Sequence, residues 1–204
     1  MSYPRDAATS SGLIRLARLF SNIISPPVIF AALGLALAWR AQPGWAALPW
    51  AALYGFWTSL APILFVVYLL KTGRIGDISM TKEERRLPYL VGTICAAITF
   101  GLLTWLHGPV LLRHLTIFNL IGLAFLGLVT IFWQISHHAT AITAAGWLVQ
   151  AVFGATAGWF MFGLAVLVCA NRLYLRRHTP AQLLAGIVWG TLSMSGLIQL
   201  GLFQ

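Results

Sequence analysis

Long apolar runs alternate with short polar breaks along the chain, and the runs have the length of a lipid bilayer rather than of a soluble core. They cover roughly residues 23–39, 48–70, 88–106, 115–133, 138–155, 158–175 and 180–203. A helix needs about 20 mainly apolar residues to cross the hydrocarbon layer. The runs lack the two-residue alternation of an outer-membrane barrel. Lipid offers backbone groups no hydrogen-bond partner, so helices are the spanning element. The pattern therefore predicts an all-α fold, a polytopic transmembrane helical bundle of about seven spans. Pro62 falls inside the second run and predicts a kink. Pro26 and Pro27 start or kink the first run, and Pro88 takes a favourable first-turn position in the third. Gly154 to Gly158 reads as a tight connection.

Ahead of the first run, Leu13, Leu16, Ala17 and Phe20 recur at helical spacing, with Arg15 and Arg18 on another face. This predicts an interfacial helix feeding the first span. No small-residue cleavage site closes a short apolar run, so a signal peptide is not expected. The chain divides into a polar, interfacial segment, 1–22, and a single transmembrane domain, 23–204, without an internal repeat.

Composition supports the same class. The chain is 59% hydrophobic and 8% charged, against about 25% charged in soluble domains. The net charge of +9 would suggest nucleic acid for a soluble protein. Here the basic residues sit in short connections, where they set topology, meet lipid head groups or bind an anionic substrate, and no nucleic-acid partner is expected. With seven spans, the N-terminus and the connections after spans two, four and six share one face. That face collects Arg5, Arg15, Arg18, Lys71, Arg74, Lys82, Arg85, Arg86, Arg172, Arg176 and Arg177, against Arg40 and Arg113 on the other. Eleven against two predicts that the polar face is cytoplasmic. Cys95 and Cys169 lie inside apolar runs without metal-ligand spacing and read as buried small hydrophobes.

Three stretches on that face carry the candidate chemistry. Asn171 to Gln182 packs Arg172, Arg176, Arg177 and His178 between two apolar runs. Thr179, Pro180 and Gln182 form a capping-box pattern, which puts His178 just before a helix N-terminus suited to an anion. The same stretch also fits a basic helix end reaching for head groups. Ser136-His137-His138 places a capping Ser136 before the fifth span, with His138 in its first turn. Metal binding there is disfavoured, since adjacent helical positions point apart and no acidic cluster completes a site. Lys71 to Pro88 holds Asp77, Glu83 and Glu84, three of the chain's four acids. Magnesium-dependent prenyl transfer would need a second Asp-rich loop. Transport would need charged or polar residues within the spans.

Together these stretches resemble the type 2 phosphatidic acid phosphatase superfamily, in a divergent bacterial branch. Its third motif, Ser-Arg-x5-His-x3-Asp, is similar to Asn171, Arg172, His178 and Gln182. Its second, Pro-Ser-Gly-His, is similar to Ile135-Ser136-His137-His138. Its first, Lys-x6-Arg-Pro, is approximated by Arg86-Leu87-Pro88, with Lys82 four residues earlier. The resemblance implies a membrane-embedded lipid phosphatase of the bacterial inner membrane that uses no metal or cofactor. Its substrate would be a lipid phosphate or prenyl diphosphate. His178 would attack phosphorus to form a phosphohistidine, and His138 would act as general acid. Arg172, Arg86, Lys82 and Ser136 would hold phosphate oxygens. Gln182 departs from the pattern, because the family's Asp orients the histidine and stabilises its charge. Gln182 can orient His178, or serve only the capping box, and Asp77 is the other acid on the same face. A non-catalytic membrane subunit or lipid-binding protein is the alternative this departure implies.

Overall fold

The computed structural model describes residues 12–77 and 80–203. The polar residues expected ahead of the interfacial helix, Arg5 among them, lie outside the described residues. Among the described residues every regular element is helical. In chain order they are α1 (Gly12–Ile23), α2 (Pro26–Ala41), α3 (Ala47–Gly55), a π-helical turn (Phe56–Leu60), α4 (Ala61–Lys71), α5 (Arg86–Trp105), α6 (Val110–Val129), α7 (His137–Phe153), α8 (Ala155–Tyr174) and α9 (Pro180–Gln199).

Each expected apolar run is helical, and the chain has the long apolar helices of a multi-pass membrane protein. Among the described residues five are long and apolar enough to cross a bilayer: the continuous rod Ala47–Lys71, α5, α6, α8 and α9. The pair α1 and α2, bent by 42°, makes a sixth if taken as one span. Helix α7 has 17 residues and is the interior helix of the bundle, with Ala139 to Gly146 buried without a break. Pro62 changes the second span in its own way. It cannot donate a backbone hydrogen bond to Thr58, and the widened π turn just before it takes up the mismatch while the rod continues. Gly154, at φ 97°, is the whole connection between α7 and α8, a left-handed conformation that glycine adopts without strain.

Helices α7 and α9 touch backbone to backbone. A Cβ on Gly186 would lie 2.7 Å from the Ser136 carbonyl oxygen, and one on Gly190 would lie 2.5 Å from that of Thr140. Small residues allow this approach, which dispersion and close packing stabilise where lipid supplies no hydrophobic drive between helices. The contact fixes the first turns of α7 and α9 side by side, and those turns carry His138 and Gln182.

Candidate functional site

The site begins where α8 stops. Arg176 takes a left-handed φ of 51°, and the Arg177 N–H returns to the Arg172 carbonyl at 3.0 Å. This closes the helix end and turns His178 back toward Arg172 in the last turn of α8. Thr179 then caps α9. Its hydroxyl accepts the Gln182 N–H at 3.3 Å, and its own N–H donates to Gln182 Oε1 at 3.0 Å. The predicted capping box is present. The same Oε1 lies 3.3 Å from His178 Nδ1. Capping and orienting the histidine, two alternatives at the level of sequence, are carried by one oxygen.

The hydrogen bonds fix the tautomer of His178. Arg172 Nη2 lies 3.4 Å from His178 Nε2, and a guanidinium can only donate. Nε2 is therefore the acceptor, and Nδ1 carries the proton it donates to Gln182. Burial pushes His178 down to about 3, the Arg172 and Arg85 charges push the same way, and the Gln182 bond opposes them. At neutral pH the imidazole is neutral, with its Nε2 lone pair facing Arg172.

Arg172 is itself 7% exposed. Its Nη1 donates to Ser21 Oγ at 2.9 Å, and its Nε has no partner among the described residues. The charges acting on it are the cations Arg85 and Arg177. Asn171 Nδ2 reaches the Ala17 carbonyl at 3.1 Å. His138 bonds to the Ser21 backbone and lies in electrostatic range of both Arg172 and His178. A buried cation without a compensating charge is costly. A cluster of this kind favours an anion that can satisfy several guanidinium donors together.

Of the expected residues, Arg172, His178, His138 and Gln182 converge. Arg86 does not. It is exposed, while Arg85 turns inward on the face it shares with buried Tyr89, four residues on. Arg85 Nε donates to the Met80 carbonyl at 3.2 Å, and Gln134, with its amide oxygen turned toward the guanidinium, accepts Nε at 2.8 Å. Lys82 pairs with Glu83 at 3.8 Å, away from the cluster. Ser136 is fully buried as the cap of α7, and its N–H donates to the Gln182 carbonyl at 3.1 Å, fastening α7 to α9. Asp77 is exposed and is not among the groups acting on His178, whereas Glu84 organises its loop through the Gly76 and Thr81 N–H groups. His137 packs on the Tyr89 ring, 5.7 Å between centroids.

Sequence reasoning missed Ser21 as a member of the cluster and left open whether Lys82 or Arg85 reaches it. The available signals were Ser21 lying opposite the leucine stripe of α1, and the four-residue spacing of Arg85 and Tyr89. No protein-family model matches the chain, and neither a curated protein nor a solved structure matches it.

Proposed function

We propose that the protein is a membrane-embedded phosphatase that removes phosphate from a lipid phosphate or a prenyl diphosphate, with its polar face toward the cytoplasm of a bacterial cell. The observation that carries this reading is the buried Arg172 guanidinium set against the unprotonated Nε2 of His178. A phosphate on the Nη2–Nε edge of Arg172, displacing its contact with His178 Nε2, would have its non-bridging oxygens held by Arg172 and Arg85. His178 Nε2 forms the bond to phosphorus as the bond to the leaving oxygen breaks, and His138 passes a proton to that oxygen. Water, with His138 now the base, then cleaves the phosphohistidine and releases phosphate. Arg85 takes the place expected of Arg86, and Gln182 orients His178.

Gln182 also favours a second reading. An amide oxygen positions Nδ1 but adds no charge to stabilise an imidazolium. A non-catalytic subunit that binds lipid phosphate would keep the same cluster. The deciding experiment is phosphate release from phosphatidic acid and prenyl diphosphates by the detergent-purified protein without added metal, beside His178→Ala. The phosphatase predicts release that His178→Ala abolishes, with acid-labile label on the wild-type protein. Equal release by the two proteins sinks it. For topology, Arg74→Cys should react with an impermeant thiol reagent only from the cytoplasmic side.

A further inference from the structure

Helix α1 meets the bundle at the cationic cluster. Ser21 Oγ accepts Arg172 Nη1 at 2.9 Å, the Ser21 backbone bonds to His138, and the Ala17 carbonyl accepts Asn171 Nδ2 at 3.1 Å. These bonds tie α1 to residues of both α7 and α8. The other side of α1 is apolar and faces outward. Leu13, Leu16, Leu19 and Ile23 are 68%, 62%, 55% and 53% exposed. Arg15 and Arg18 lie exposed to one side of this stripe, and no acidic residue occurs in the helix. A helix of this pattern lies in the plane of a membrane interface with its apolar side in the acyl boundary, and its arginines favour anionic lipid.

The donors of Arg172 divide in a telling way. Nη1 belongs to Ser21. Nη2 and Nε form the other edge of the guanidinium, where Nη2 faces His178 Nε2 and Nε has no partner among the described residues. A two-nitrogen edge is what an oxyanion takes up in a bidentate contact. An anion on that edge leaves the Ser21 bond in place and lies beside His178. Without the Ser21 acceptor, Nη1 is buried unsatisfied and the guanidinium is free to rotate away from the imidazole.

We propose that Ser21 is a positioning residue of the phosphate site, and that an anionic bilayer surface under the outer face of α1 holds it there. This rests on the anion-site reading and adds to it an element the motifs do not contain: the site is complete only when α1 is docked.

The test uses the full chain in phosphatidylcholine–phosphatidylglycerol nanodiscs, with inorganic phosphate as the calorimetric probe. Ser21→Ala should weaken phosphate binding ~10-fold, and Ser21→Thr, which keeps the hydroxyl, should stay within ~2-fold of wild type. Leu16→Asp, on the outer face of α1, should weaken binding several-fold, as should nanodiscs of phosphatidylcholine alone. Wild-type affinity in Ser21→Ala overturns the role of Ser21. Wild-type affinity in Leu16→Asp, or indifference to phosphatidylglycerol, overturns the bilayer contribution. Arg172→Gln separates the two levels. If it binds as wild type does, or if the wild type binds no phosphate, the anion-site reading falls and this proposal falls with it. If Arg172→Gln loses binding and Ser21→Ala does not, only the α1 proposal fails.

Discussion

At one end of the bundle Arg172, Arg85 and Arg177 surround a buried imidazole; at the other, Arg113 and His114 sit side by side at the start of α6 and make nothing comparable. The far end is joined by ordinary contacts. Trp50 Nε1 donates to Gln42 at 3.0 Å, and the Phe203 N–H donates to His114 Nδ1 at 3.3 Å while the two rings meet edge to face. Arg113 even shares one trait with Arg172, a buried Nε without a partner among the described residues. Yet His114 has Nδ1 taken by a backbone amide, and the chain folds its C-terminal turn over it. An unsatisfied guanidinium nitrogen alone does not make a site. Among the described residues, the α7–α8–α9 end adds what the far end lacks: several cations acting on one oriented lone pair.

The largest expected difference between the ends is chemical. Arg172→Gln should reduce phosphate release by ~1000-fold or more, as loss of a charge-stabilising donor does in phosphoryl and acyl transfer. Arg113→Gln should stay within ~2-fold. Equal losses in the two variants would erase the distinction between the ends. Packing gives the next contrast, on a single helix. Gly190→Val drives a side chain into the Thr140 backbone and should destabilise the protein by about 3 kcal/mol, seen as a lower unfolding midpoint in detergent. Gly196, nearer the far end, has nothing within 4 Å of an added Cβ. Gly196→Ala should be neutral or slightly stabilising.

Position 182 refines the comparison within the site. Gln182→Ala removes both the cap and the acceptor of His178 Nδ1, and should lower turnover by roughly 10- to 100-fold together with about 1 kcal/mol of stability. Gln182→Glu keeps the oxygen and adds a charge. It should raise the titration point of His178, readable by nitrogen NMR, and speed phosphohistidine formation. Unchanged titration would remove Gln182 from its orienting role. A last contrast lies in pH dependence. An unfolded His178 takes a proton near 6.5, and the folded one only near 3. Between those values the unfolded state binds more protons, so stability is intact above about pH 6.5 and falls as the pH drops toward 3. His178→Asn should flatten this segment of the stability curve.

The helical rods were legible because a bilayer imposes their length on the sequence. The pairing of His138, Arg172 and His178 was legible because connections after alternate helices must emerge together. What escaped was decided by direction and packing. Arg85 and Arg86 are equally basic, and only the phase of α5 turns one inward beside Tyr89 and the other outward beside Leu90. Ser21 is an ordinary serine until α1 folds over the end of α8. Helix α7 read as one more apolar run; that its Ala, Thr and Gly make it the interior helix on which α8 and α9 pack was not read. The π turn before Pro62 likewise depends on how the neighbouring carbonyls are absorbed, which a proline in a sequence does not specify.

Gln182 Oε1 has two lone pairs, and both are occupied: one by the first turn of α9 through Thr179, the other by His178. Position 182 is therefore pleiotropic. A substitution selected for faster chemistry is also a substitution in the start of a membrane helix, and a scan scored on product formation would blend catalytic gain with lost expression. A change that removes this oxygen needs a companion that restores the helix start, so the single steps open to the position are those, such as Gln182→Glu, that keep a side-chain oxygen for both contacts.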